Sequence, residues 1–461
     1  MENSIARIMV KCAEEMQETY SKSLAGGGFA QLNAEALSCA QKFAREMVGY
    51  FLAETDRLLR EEPERKERYR VERNGQVRIM QTEYGELKIE RTLYQDKSDG
   101  SYHCLVDELL GIDKYERLED NLKAKVLLAA SDTSYGKAGK VSGGSVSRQT
   151  VMNVVHRLKE IKAVPERKSG ANTVYIEADE DHIHMQDGKS SILKLIYVHE
   201  GVEAVSKGRN KLLNPWYFTS IEKDSDNLWY EVMDYVESVY DTENVKLTLR
   251  GDGGWIKGGL GYFPKAKFEL DSFHMFKSIT RATGHYKKLR GLIIDSIKKN
   301  DYERTQRYYE QLYAEAQKES DKKETMDSMK YILNHYDDIV AFQDGAGCSA
   351  EGHVSHMLSA RLSSRPMGWS KHGASKIAAL RAFTHNGGNM LDLIKRKKQS
   401  ELQPAVAKKI KRKLRDIKTC SLPILAASSR HPTRFLVKKL VTYGNQNSYR
   451  DLGFSKNPIN I

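Results

Sequence analysis

Between residues 29 and 62 the apolar side chains fall three and four positions apart, the period of a helix with one buried face. This helix belongs to an all-helical stretch over 1–68, whose apolar stripe suits packing or self-association. At residue 69 the period changes. YRVERNGQVRIMQTEYGELKIERTLYQ alternates polar and apolar residues, with glycine at two turns, and predicts a small antiparallel β segment over 69–104. Its basic, aromatic surface is either a solvated sheet face or a ribbon against a DNA backbone. Helical spacing returns over 105–165, where Ser147 is an N-cap and Val151, Val154, Val155 and Leu158 share one face. Residues 163–171, with Pro, Gly and mixed charge, read as a linker.

From 172 to 285 the predicted order is strand, strand, strand, helix, strand, strand, helix. NTVYIEAD ends the first strand on Asp179, and NVKLTLRGD ends the fourth on Asp252. The helix between them carries Trp229, Val232, Met233, Val236 and Val239 on one stripe. An antiparallel meander followed by helix-linked strands is the order of an RNase H-like mixed α/β sheet. In that sheet the end of the first strand lies beside the end of the fourth. Residues 286–345 are helical and heavily charged, an all-helical insertion before the last part of the core at 346–390. A basic C-terminal region follows over 391–461.

Composition narrows the class. With 461 residues, 40% hydrophobic and 30% charged, the chain suits a multi-domain globular protein. Five scattered cysteines form no CxxC pair, which argues against a zinc ribbon or a disulfide framework and fits a reducing cytoplasm. The first residues lack the apolar core of a signal peptide, and no run reaches the roughly 20 apolar residues of a membrane span. A net charge of +12 favours a polyanionic partner.

Asp179, Asp252 and Glu351 are the candidate chemistry. Two carboxylates at strand ends and one on a later helix suit a divalent-metal phosphoryl-transfer site. Mg²⁺, with Mn²⁺ as alternative, is the expected ion, because it binds few carboxylates and leaves positions for phosphate and water. Asp179 and Asp181 share a strand face, so either could be the first ligand. Gly253 and Gly254 leave Asp252 open to a DNA backbone. Trp255 stacks on a base or, more favoured, packs in the core. His182 with His184, and His353 with His356, are weaker metal candidates because further ligands are missing.

Four segments carry a resemblance: VYIEADEDHIHMQ (174–186), LRGDGGWIKGG (249–259), FELDSFHMFKSI (268–279) and EGHVSHMLSARLSSRPMGWSKHGASKIAALR (351–381). Together they resemble the ISLre-type DDE transposases of bacterial insertion sequences, in the mutator-like superfamily. A D-G-x-W segment followed by D-x-x-H, here Asp271 and His274, marks the superfamily. Glu180 stands where the family has glycine. The resemblance implies that Asp179, Asp252 and Glu351 hold the metal ions and that His274 belongs to the catalytic group. It implies strand cleavage and strand transfer on double-stranded DNA, at the element's ends and at a target. It implies a homo-oligomer in the synaptic complex and a cytoplasmic, nucleoid-associated location. The alternatives are a catalytically inactive or domesticated DNA-binding relative, and a stand-alone RNase H-like nuclease.

DNA contacts are expected in two places. The helix pair over 105–165 resembles a helix-turn-helix, with Arg148 and Gln149 as base readers. The runs containing Lys395, Arg396, Lys397, Lys398, Lys408, Lys409, Lys411 and Arg412 suit phosphate contacts, or only a solvated face.

Overall fold

Glycine sets the first turn. The computed structural model describes residues 2–141, 146–206, 209–222, 224–284, 286–340, 350–365 and 367–395. In it α1 (Glu2–Lys22) folds back on α2 (Gly28–Glu61) through a π turn with Gly26 at φ 138° and Gly28 at φ 67°. Only glycine adopts such angles at low cost. The two helices run antiparallel: Lys11 pairs with Glu46 at 2.6 Å, and the Sγ atoms of Cys12 and Cys39 lie 3.8 Å apart. Pro63 opens α3 (Pro63–Arg68) at a position where its missing N–H costs nothing. These helices, with residues 95–101, form one of two compact units.

The second unit holds residues 71–94 and the described residues from 102 onwards. A three-stranded sheet runs in the order β1 (Tyr69–Thr82), β2 (Gly85–Asp96), β3 (Tyr102–His103). Four helices come next: α4 (Leu105–Leu110), α5 (Asp120–Asp132), α6 (Tyr135–Val141) and α7 (Arg148–Arg157). The Ser147 Oγ accepts from the Thr150 N–H at 3.1 Å, capping α7.

The main sheet uses β4 (Thr173–His184), β5 (Ser190–His199), β8 (Trp216–Ser220), β9 (Lys246–Gly251) and β10 (Lys267–Leu270) in the order β10-β9-β4-β5-β8. β4, β9 and β10 are parallel, whereas β5 runs antiparallel to both β4 and β8. The mixed five-stranded sheet is thus what the strand and helix periods predict. A two-stranded hairpin, β6 (Val202–Ser206) with β7 (Arg209–Leu212), interrupts the meander. The sequence reading lacks it. Residues 203–206 are exposed, so no buried face imposes alternation on them.

Alternation sorts the sheet's side chains onto two cores. Ile183, Leu193, Leu195 and Tyr197 face one side with Val126 and Leu127 of α5 and Val151 and Val155 of α7. Helices α15 (Ala350–Val354), α16 (Ala360–Leu362), α17 (Lys371–His385) and α18 (Met390–Lys395) add Val354, Leu362, Ile377 and Leu393 to that side, with Met357 and Leu358 from the turn between the first two. Val174, Ile176, Ala178, Ile196 and Leu249 face the other side, against Trp229, Val232 and Val236 of α8 (Asp226–Val239). The helices α9 (Gly254–Lys257), α10 (Ser272–Thr283), α11 (Lys287–Lys298), α12 (Tyr302–Glu315), α13 (Glu319–Asn334) and α14 (Tyr336–Val340) belong to this second side. Ile256, Ile279, Ile293, Tyr309, Ile332 and Ile339 fill its core, so the insertion shares a core with the sheet. Among the described residues no helix is long and apolar enough to cross a membrane.

Candidate active site

Asp252 and Asp271 follow the carboxyl ends of β9 and β10, whereas Asp179 lies inside β4. β4 does not end on Asp179, as its apolar run suggests, but continues to His184 paired with β5. Glu177 of β4 pairs with Arg250 of β9, so Asp179 and Asp252 each lie two residues past the last parallel pair. Leu270 of β10 pairs with Gly251, and the Asp271 N–H donates to the Gly251 carbonyl at 2.7 Å. Ligands of open α/β sheets bind in this place, outside the carboxyl ends of the strands. Asp179 is 5% exposed. Asp271 caps α10 by accepting from the Phe273 N–H at 2.9 Å. One turn on, His274 Nε2 is buried, makes no hydrogen bond, and lies 3.9 Å from Asp179 Oδ1 and 3.8 Å from Asp271 Oδ2. Burial pushes the Asp252 carboxyl above its ordinary pKa, and Glu180 adds to the rise. His274 and His335 oppose it.

Glu351 lies on α15, and its side chain is outside the described residues. The helix that carries it is laced to β4. Asp181 Oδ2 accepts from Ser359 Oγ at 3.0 Å and from Ser363 Oγ at 2.8 Å. Asp179 and Asp181 therefore have different surroundings: Asp181 faces two hydroxyl donors, whereas Asp179 faces His274. Between α15 and α16 the chain makes a π turn, Ser355–Ser359. Arg381 takes two carbonyls of that turn, those of His356 at 2.8 Å and of Met357, and reaches the Ser131 carbonyl at 2.9 Å. A π turn inside a helix needs such outside donors for its freed carbonyls. Trp369 closes the end: its N–H donates to the His184 carbonyl and its Nε1 to the Leu362 carbonyl, both at 2.9 Å.

Gly253 does not leave an open approach to Asp252, as the sequence suggested. A Cβ at this residue would fall 2.9 Å from the His335 ring, so the gap is already filled by a side chain of the insertion. Gly254 has open space beside it. Trp255 is partly buried, with Nε1 donating to Glu180 Oε2 at 2.9 Å and the Lys194 ammonium 5.1 Å from its ring. Below the site lies a buried charge network. Arg250 Nε donates to Glu269 Oε2 at 2.8 Å, Arg250 Nη1 reaches Glu177 Oε1 at 3.4 Å, and the Tyr197 hydroxyl donates to Glu177.

Residues 25–399 match the family described as "Uncharacterised protein family (UPF0236)". The chain belongs to the UPF0236 family. A UPF0236 protein of Caldanaerobacter subterraneus subsp. tengcongensis, whose name joins eleven locus numbers, is 35% identical over 91% of this chain and 92% of its own length. Another from the same organism, whose name joins four locus numbers, is also 35% identical over 91% of this chain and 92% of its own length. A third, named "UPF0236 protein in vanSb 3'region", from Streptococcus gallolyticus, is 28% identical over 66% of this chain and 72% of its own length.

In this UPF0236 chain the other sequence candidates have partners of their own. The His182 side chain is 66% exposed and 3.8 Å from Glu180. His353 Nδ1 is 3.1 Å from the Tyr217 hydroxyl, within the first core. Among the described residues no group of three His, Cys, Asp or Glu side chains is arranged to hold a metal ion. Arg148 and Gln149 are exposed at the start of α7, with Gln149 Nε2 donating to Asn153 at 3.1 Å. Lys395 ends α18 with its side chain outside the described residues. Arg396, Lys397, Lys398, Lys408, Lys409, Lys411 and Arg412 lie wholly outside them.

Sequence reasoning missed Asp181's serines, Arg381, Arg250 with its two glutamates, and Tyr331 and His335. The one local signal was Arg250 following Leu247 and Leu249 in β9, since a buried arginine needs carboxylate partners.

Proposed function

We propose that this chain is a DDE transposase of the ISLre type, which binds the ends of its own element and performs strand cleavage and strand transfer. The observation that carries the reading is that Asp252, just past β9, and Asp179, on the neighbouring parallel strand β4, both lie around His274, with the segment that follows the Glu351 helix bonded to β4 through Asp181. In chain order the sheet runs fifth, fourth, first, second, third, with the last two strands parallel to the first. That order supports an RNase H-like core. Relatives whose names join eleven and four locus numbers in one bacterium support a gene that multiplies within a genome.

The residues present fit Mg²⁺ or Mn²⁺. Asp179 and Asp252 supply hard oxygen donors, and burial together with Glu180 raises the pKa of the Asp252 carboxyl, a rise that a bound cation would offset. Asp179, Asp252 and Glu351 would hold the ions, which when bound neutralise charge on the phosphate and the leaving oxygen. The chain's own residues position the partners. His274 stands between Asp179 and Asp271. A water or a DNA 3′-hydroxyl attacks phosphorus in line, the P–O3′ bond breaks, and the 3′-oxygen leaves with the proton that the nucleophile sheds. No covalent enzyme intermediate is required.

The test uses purified full-length protein and labelled duplexes carrying the DNA that flanks its gene. Nicking at the element boundary in Mg²⁺ or Mn²⁺, abolished by chelation and by Asp252→Asn, is the expected result. No nicking with either ion, or equal nicking by Asp252→Asn, removes the reading.

A further inference from the structure

The turn that carries Asp252 has little of its own to fix it. It leaves β9 and enters the four-residue helix α9 through Gly253 at φ 106° and Gly254 at φ 53°. Trp255 is held by Glu180 and Lys194 from the sheet, and the residues on either side of it are held from the insertion. The Tyr331 hydroxyl donates to the Asp252 carbonyl at 3.1 Å. One helical turn later the His335 ring lies against Gly253, where a Cβ would fall 2.9 Å from Cε1 and 3.0 Å from Nε2. His335 Nδ1 is 3.0 Å from Asp338 Oδ2, and the same oxygen receives Lys257 Nζ at 2.7 Å from the far end of the turn. Residues 252, 253 and 257 are thus each met by one of 331, 335 and 338. Burial keeps the Tyr331 hydroxyl well above its ordinary pKa, and the carboxylates of Asp252 and Asp271 add to this, so at neutral pH it donates.

We infer that Tyr331 and His335 are positioning residues for Asp252, and that through them the helical insertion aims the carboxylate at the end of β9. The inference rests on the reading of Asp252 as a metal-holding carboxylate. The insertion is then part of the active site's frame, contributing rigidity at a strand end that two positive-φ glycines make soft. Groups one contact removed from a metal ligand change metal affinity or activity by about 10–100-fold when lost. A clamp that served only to attach the insertion would affect melting alone.

The experiment compares full-length wild type, Tyr331→Phe and Tyr331→Phe/His335→Ala. Amide hydrogen exchange is read in the metal-free protein, Mn²⁺ affinity by electron paramagnetic resonance, and DNA cleavage as kcat and KM. The expected result is faster exchange confined to residues 250–257, Mn²⁺ affinity weakened about tenfold, and a lower kcat with KM for DNA unchanged. Unchanged exchange overturns the inference, and so does faster exchange with unchanged Mn²⁺ affinity. If the double variant fails to fold, Tyr331→Phe, which removes one oxygen atom, decides by the same criteria. A wild type that binds no Mn²⁺ sinks the metal reading instead, and the exchange result alone then decides whether the clamp holds the turn.

Discussion

The Ser363 Oγ lies 2.8 Å from Oδ2 of Asp181, a residue 182 positions earlier in the chain. With Ser359 at 3.0 Å, it gives Asp181 two hydroxyl donors from the segment that follows Glu351. An asparagine carbonyl at 181 can still accept from both hydroxyls. Asp181→Asn should therefore keep cleavage within about threefold of wild type, whereas Asp179→Asn should lose more than the roughly 100-fold that an outer contact commands. Parallel cleavage assays decide the matter. The reverse ranking would move the metal ligand to Asp181.

Ser363→Ala removes a hydrogen bond to a charged acceptor. Such bonds contribute about 1.5–3 kcal/mol. Urea unfolding of the variant should show a loss in that range, together with weaker cleavage as the Glu351 helix loosens from β4. Wild-type stability and wild-type cleavage together would mean that Ser359 alone suffices.

Arg250→Leu should be among the most damaging single changes in the sheet. It leaves Glu177 and Glu269 buried without their shared cation. Breaking a buried ion pair from one side costs about 3–5 kcal/mol. Denaturant titration reads this directly, and a loss under about 1 kcal/mol would show that the network relaxes or takes in water.

The two ends of the chemistry were not equally legible in the sequence. The run ending on Asp252 announces the end of β9, whereas the run ending on Asp179 stops five residues short of the end of β4, whose later residues alternate against β5. The order of elements implies neighbouring strands. The mixed sheet followed from period alone. Tyr331 and His335 could not be found that way, because they lie in a charged helical stretch and meet the site only through tertiary packing. The same holds for Ser359 and Ser363, whose partner is on the first strand. Gly253 was read as an opening because a sequence shows a missing side chain but not what occupies the space.

Arg148, exposed at the start of α7, is placed to reach outward while Val151 and Val155 anchor the helix. If it reads a base, Arg148→Ala should cost about 1–3 kcal/mol on end DNA and little on scrambled DNA. Neutralising the basic residues from Lys395 onwards should instead weaken both equally, flattening the salt slope by about 0.9 per lost phosphate contact. Fluorescence anisotropy against salt concentration separates the two. Equal losses on both duplexes for Arg148→Ala would end the helix-turn-helix reading.

Cys39 offers a probe of the helical hairpin that needs no DNA. Burial, with Cys12 beside it, pushes its thiol up to about 11. The reactive form is the thiolate, so alkylation should be slow at pH 8 and rise about tenfold per pH unit towards that value. Peptide mass spectrometry after timed iodoacetamide treatment measures it. Rapid labelling at pH 7 would mean that α1 and α2 part readily.

The lacing of β4 to a helix far downstream also has a consequence in time. A ribosome adds roughly 5–20 residues per second, so the interval between Asp181 and Ser363 amounts to roughly 10–40 seconds of synthesis. Throughout it the nascent chain holds its first aspartate but has nothing to fasten the Glu351 helix. If the protein cuts DNA as proposed, a stalled or prematurely ended chain is a blade without a hinge. Cutting begins only when translation has passed the insertion, and a frameshift between Asp181 and Ser363 disarms the product without removing Asp179.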